Sequence, residues 1–138
     1  MSLYAVIDTN VLVSALLSRH DDSAVVQVIN HVADKIIIPL YSKDIINEYK
    51  EVLFRAKLAI DPSKANYIVD LIINRGISVE PTTSNLSFVD PDDLVFYEVV
   101  LNKKEEGAYL ITENKKHFPN EPMVVSASEF LTHNNLQI

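Results

Sequence analysis

The sequence has no cysteine and only two glycines. Without thiols there is neither a disulfide framework nor a thiolate zinc site. Two glycines leave no room for a glycine-rich phosphate loop, and neither GxGxxG nor GxxxxGK[ST] occurs. Most nucleotide-cofactor chemistries fall away on that ground. Basic residues are also scarce: twelve Lys and Arg stand against nineteen Asp and Glu, a net charge of −7. That balance argues against broad electrostatic capture of nucleic acid, which needs clustered cations. It leaves room for a nucleic-acid enzyme, because a cation held by an acidic site inverts the local field. No apolar run reaches the length of a membrane span. The amino terminus lacks the basic, apolar and small-residue order of a secretory signal. A cytoplasmic protein with no membrane partner is the expectation.

What remains is a chain of 138 residues, 48% hydrophobic, long enough for one domain over 1–138 with a substantial core. Its organising stretch is LYAVIDTNVLVSAL at 3–16. Ala5, Val6 and Ile7 form a short apolar run that predicts a buried strand, and Val11, Leu12, Ala15 and Leu16 follow at helical spacing. Asp8 stands between the two, where open α/β sheets place their ligands. Further along, cap residues at 21–23 precede a helical stripe over 24–32, and 36–40 predicts a strand ended by Pro39. Ser42 can cap a helix over 43–57 with an inward stripe of Ile45, Tyr49, Val52, Leu53 and Ala56. Asp61-Pro62 opens another helix, with Ala65, Ile68, Val69, Ile72 and Ile73 facing inward and Gly76 as its stop. Short strands are expected at 77–80, 109–111 and 123–125, and a helix from Asp90-Pro91 to about 105, closed by Gly107. Ser126 and Glu129 fit a capping box for a last turn of helix. Strands alternating with helices predict a single three-layer α/β/α sandwich on a central parallel sheet.

Several acids invite a functional reading. Asp8 is either a simple helix cap or a site residue, and carboxylates are seldom set at the end of a buried strand without a partner. Asn10 beside it can be a cap too. Glu48 falls on the inward stripe of its helix, three residues after Ile45. A buried, unpaired carboxylate costs several kcal/mol, so a metal or a basic partner is needed unless the stripe is rotated. Asp90, Asp92 and Asp93 suit the first turn of a helix by its macrodipole, yet three carboxylates in four residues also suit a cation. Glu98, on the same helix, suits a solvated face. Thr112, Glu113 and Asn114 repeat the geometry of Asp8 after another buried strand. The Thr112 hydroxyl can bond a carboxylate and Asn114 offers a neutral oxygen, while Glu113 is either a ligand or points outward. Lys115, Lys116 and His117 are the one basic cluster, either a solvated loop or a grip on a phosphate near the site.

Taken in order, VIDTNVLVSALLS, YSKDIINEYKEVLFR, the DPDD helix start and LITENKKHFP resemble the PIN domain family, and more narrowly the PIN-type (VapC-like) toxins of toxin–antitoxin systems. The resemblance implies a metal-dependent ribonuclease with RNA as substrate, whose acids gather one or two Mg²⁺ or Mn²⁺ ions. By motif, Asp8 matches the first acid, Glu48 the glutamate of the long third helix, and Asp93 the acid of the DPDD helix, with Asp92 a close competitor. Asn114 stands where many members carry a fourth acid, so less negative charge is available for a second ion. Asn10, Thr112, Asn114 and Lys115 would then position substrate or water. A small antitoxin and a second copy of the chain are the implied partners. Hard oxygen donors suit Mg²⁺ or Mn²⁺ rather than zinc or copper.

Two other readings stay open at this level. A haloacid-dehalogenase-like phosphatase also begins with an Asp after its first strand, but wants a second Asp where this chain has Asn10. A non-catalytic metal-binding or interaction module would use the same acids to hold a structural ion.

Overall fold

The computed structural model describes residues 2–87 and 89–136; Met1, Phe88, Gln137 and Ile138 lie outside it. Five strands run in the order β1 (Leu3–Ile7), β2 (Ile37–Tyr41), β3 (Ile77–Ser78), β4 (Tyr109–Ile111) and β5 (Val124–Val125). Between and after them lie α1 (Thr9–Leu17), α2 (Ala24–Ala33), α3 (Lys43–Leu53), α4 (Pro62–Arg75), α5 (Pro91–Asn102) and α6 (Ala127–His133). Every strand pair is parallel, in the spatial order β3-β2-β1-β4-β5. Chain order therefore runs outward from β1 to β3 and then jumps back to β4 on the other side of β1. That jump makes the β1/β4 boundary a topological switch point, where a crevice opens beyond the carboxyl ends of the strands.

The strand sequences explain the layering. Ala5, Val6 and Ile7 are each 0% exposed, as are Leu110 and Ile111, so side chains on both faces of the central strands are covered. Parallel sheets need that double cover. The α5 connection runs back across the sheet, against the direction of the α1–α4 connections. Right-handed crossovers thus set it on the opposite face, where it packs on β1, β2 and β4. On the other face α2 packs on β2 and against α4 and α6. The result is the three-layer α/β/α sandwich expected. Among the described residues, no helix is long and apolar enough to cross a membrane.

Several boundaries differ from the periodicity. The helix from Ser42 ends at Leu53 rather than 57, because Ala56 is exposed and the inward stripe has nothing left to bury. A short 3₁₀ turn, Ala56–Leu58, follows instead. In α4, Leu71 turns inward while Ile73 is 36% exposed. The α5 helix stops at Asn102; another 3₁₀ turn, Lys104–Glu106, carries the chain to Gly107, whose φ of 82° is the left-handed conformation glycine adopts freely. The strand expected over 77–80 is paired at Ile77 and Ser78 alone, and the last strand begins at Val124. The capping box of Ser126 and Glu129 is formed in full, on a helix longer than one turn.

Pro39 does not end β2 but lies within it, opposite Ala5 of β1. Its missing N–H is harmless for a geometric reason. Tyr41 turns its carbonyl toward the N–H of Val79 at 2.8 Å, and strand alternation points Pro39 to the same side. There β3 has not yet begun, and the residue facing Pro39 is Gly76. A Cβ on Gly76 would lie 2.3 Å from the Pro39 carbonyl oxygen and 2.6 Å from that of Ile72. Gly76 is thus required by close approach; its φ of −102° is ordinary backbone. Gly76→Ala is expected to cost about 1–3 kcal/mol through overpacking, read as a lower urea midpoint at an unchanged m-value.

Candidate active site

The local structure around Asp8 follows from the end of β1. Its N–H continues the parallel ladder, donating to Ile111 of β4 at 2.9 Å. Asp8 then occupies the N-cap position of α1, yet its side chain makes no capping bond to the helix. The carboxylate reaches across the strand boundary instead. Its Oδ2 accepts the Thr112 hydroxyl at 2.7 Å and the Asn10 side-chain amide at 3.2 Å. The two donors are themselves tied to the loop after β4. Thr112 Oγ1 accepts from the Asn114 N–H at 3.0 Å, and Asn10 Oδ1 accepts from the Glu113 N–H at 3.1 Å. Both ends of the Asn10 amide are thereby occupied in holding the turn.

A second anchor brings α3 to the same place. Tyr49 is fully buried and donates its hydroxyl to the Ile7 carbonyl at 2.6 Å, one residue before Asp8. Its ring packs on Phe96 of α5 with centroids 5.9 Å apart. Tyr49 therefore sets the spacing between α3, α5 and the end of β1. Glu48, the preceding residue, lines the cleft together with Asp8, Asn10, Asp90, Asp92, Asp93, Asn114 and His117. This cleft is open to solvent and has a volume of about 260 Å³.

The structure separates the remaining candidates. Asp90 caps α5, accepting from the Asp92 N–H at 2.9 Å, at the rim of the cleft. Thr112 is 0% exposed and does not face the cleft; it acts through Asp8. Glu113 points away and accepts the Ala127 N–H at 3.1 Å, at the start of α6. Glu98, expected on a solvated face, instead accepts the Ser84 N–H at 2.8 Å and so ties down the loop before α5. Lys115 leaves the cleft as well, because Glu129 takes its ammonium at 2.8 and 3.0 Å. That pairing, with the Ser126 cap, holds the exposed Glu129 carboxyl well below its ordinary value, at about 2. His117 moves the other way: it lines the cleft and lies 3.5 Å from Asp93. A search for acids and strand ends does not single out His117 or the anchoring role of Tyr49. The sequence signals were the position of Tyr49 on the inward stripe beside Glu48 and the place of His117 in the basic cluster with Lys115 and Lys116.

Five carboxylates thus face one another with a single imidazole among them. Burial pushes Asp8 up to about 6, with Asp93 adding to the effect and the Thr112 hydrogen bond opposing it. Glu48 is raised by burial and then by Asp92 and Glu51. Asp93 is raised by burial, partly offset by His117. The donor set suits a hard divalent cation in kind, since every ligand atom on offer is oxygen apart from the imidazole. Its spacing is more open than a closed coordination shell: among the described residues no three acids or histidines are gathered tightly enough to hold an ion by themselves.

The doubly wound α/β fold thus gathers its carboxylates at the topological switch point of the sheet. The chain belongs to the PIN domain family, whose family model matches residues 4–116, from β1 through the turn after β4. PIN domains are generally nucleases, and those nucleases typically use divalent metals. No curated protein matches the chain.

Two measurements probe this geometry. Asp8 has a folded-state value above its unfolded one, so the native state binds the proton more tightly and loses stability as pH rises. The loss begins near the unfolded value of 3.8 and is complete above about 6. In chelator, Asp8→Asn is expected to be more stable than wild type at pH 7 by about 1–3 kcal/mol. The two melting curves should converge near pH 4. Tyr49→Phe leaves the Ile7 carbonyl without its donor and is expected to cost about 1–2 kcal/mol, measured by urea unfolding.

Proposed function

We propose that this chain is a Mg²⁺- or Mn²⁺-dependent endoribonuclease and the toxin of a toxin–antitoxin pair. The observation that carries the reading is Asp8, a carboxylate 5% exposed at the switch point, raised by burial and facing Glu48 and Asp93 across an open cleft. Carboxylates crowded against a desolvated partner are stabilised by a cation, and Asp8, Glu48 and Asp93 are the proposed ligands. Asp92 and Asn114 flank them at the mouth. A bound divalent ion would supply Lewis-acid stabilisation of phosphoryl charge and a more acidic water.

The chain's own residues have separate tasks in this reading. Thr112 and Asn10 hold the Asp8 carboxylate in one orientation, so that it is preorganised. Tyr49, bonded to Ile7, fixes the helix that carries Glu48. Asn114, neutral and exposed, offers an oxygen to water at the rim. His117 balances Asp93 without closing the cleft. The acids suit water activation, so no side-chain nucleophile is needed. A small antitoxin with arginines would find bidentate partners in these carboxylates, and a second copy of the chain is the other proposed partner.

The test is RNA cleavage by the purified chain with Mn²⁺ or Mg²⁺ against EDTA, beside Asp8→Asn and Glu48→Gln. Cutting that needs the ion and falls at least about a hundredfold in each variant is the expected result. Metal binding by calorimetry with no cutting in any RNA would replace the nuclease by the interaction-module reading.

A further inference from the structure

The three basic residues after β4 do different things in the structure, and the difference points to a second site. Lys115 is consumed by Glu129. Lys103 and Lys104, the nearest lysines before them in the chain, pair with Glu106 and Glu121. Lys116 is exposed and has no ion pair among the described residues. It stands on the wall between two grooves. One, of about 310 Å³, is lined by Asp90, Asp93, Lys116, His117 and Phe118. The other, of about 320 Å³, continues past Phe118 over Pro119, Asn120 and Glu121. The first groove shares Asp90, Asp93 and His117 with the acidic cleft. Cleft and grooves therefore adjoin one another through shared walls, a track of neighbouring depressions from Asp8 past the 3₁₀ turn Lys115–His117.

A phosphodiester strand approaching five carboxylates on a protein of net charge −7 is repelled at every point except where a cation meets it. Along this track the unpaired ammonium is that of Lys116. His117 is engaged with Asp93 at 3.5 Å. We propose that Lys116 is a phosphate-binding subsite for the nucleic-acid strand, contacting a backbone phosphate next to the one held in the acidic cleft. The strand would leave the cleft over His117 and Phe118. A point charge of this kind holds the backbone without reading bases, so the subsite adds affinity and register rather than sequence choice. It rests on the nuclease reading for the identity of the strand, and adds to it a residue outside the acidic cluster.

The test separates the two claims by reading binding rather than cutting. The full chain carrying Asp8→Asn is titrated into a fluorescein-labelled single-stranded RNA decamer in EDTA, with anisotropy followed over a salt series. Adding Lys116→Glu is expected to weaken binding about tenfold and to lower the salt slope by about 0.7, the loss of one phosphate contact on a single strand. Lys116→Arg should restore most of the affinity. Lys64→Glu, the same charge change on the exposed start of α4, should leave binding unchanged. Equal weakening by Lys64→Glu and Lys116→Glu would overturn the subsite, as would an unchanged salt slope in Lys116→Glu. So would failure of the Asp8→Asn chain to bind the decamer at low salt. Binding that depends on Lys116, in a chain whose wild-type form cuts no RNA with Mn²⁺, would keep the subsite and reject the nuclease.

Discussion

The structure depends on one carboxylate kept out of water. Asp8 is buried at the end of the central strand, and among the described residues its only hydrogen-bonding side chains are Thr112 and Asn10. Neither is charged, so the ionised group is oriented without being neutralised. That is a poor way to stabilise a fold and a good way to keep a carboxylate ready for a cation. Its consequences spread outward. Thr112 lies 104 residues from Asp8 in the chain, and the bond between them ties the first strand's turn to the fourth's. Asn10 reinforces the tie through the backbone of Glu113. The switch point is thereby a laced seam between the two halves of the sheet.

Tyr49 extends that seam to a third element. A tyrosine that is 0% exposed must place its hydroxyl on an acceptor, and the Ile7 carbonyl takes it at 2.6 Å. The same ring leans on Phe96, so α3 and α5 are spaced by aromatic packing rather than by their acids. Glu48, Asp92 and Asp93 repel one another, and left alone they would splay the helices apart. Packing at Tyr49 and Phe96 opposes this, which lets the carboxylates share one cleft. The core here bears the electrostatic strain of the site.

Much of this was legible in the chain. Apolar runs located β1, β2 and β4 because fully buried parallel strands carry no alternation to confuse. Asp61-Pro62, Asp90-Pro91 and Ser126–Glu129 announced helix starts, since caps are local chemistry. Helix ends were harder: α3 and α5 stop where burial runs out, and burial is a tertiary fact. Pro39 misled because its cost depends on which neighbour its nitrogen faces. For the site, Asp8 and Glu48 could be singled out from position alone. The roles of Lys115 and His117 could not, because adjacent residues on a tight turn point in different directions. Only the location of Glu129, on α6, decides which of them is drawn away. PIN-family membership, shown over 4–116, covers the acids but stops short of the helix that makes that choice.

Asn114 takes its meaning from this balance. It lines a cleft in which Asp8, Glu48 and Asp93 are already all raised above their ordinary values. Another carboxylate there would add repulsion to groups that burial already penalises. A neutral amide removes that repulsion and keeps an oxygen at the mouth. The same economy governs the bases. The fold spends Lys115 on securing α6 to the turn after β4 and His117 on easing Asp93, which leaves Lys116, of the three bases on this turn, without an ion pair among the described residues. A chain with a net charge of −7 can hold a polyanion only where charge has been left unpaired. On this track that place adjoins the cleft rather than lying inside it, so a strand would be gripped beside the acids and brought to them by its own continuity.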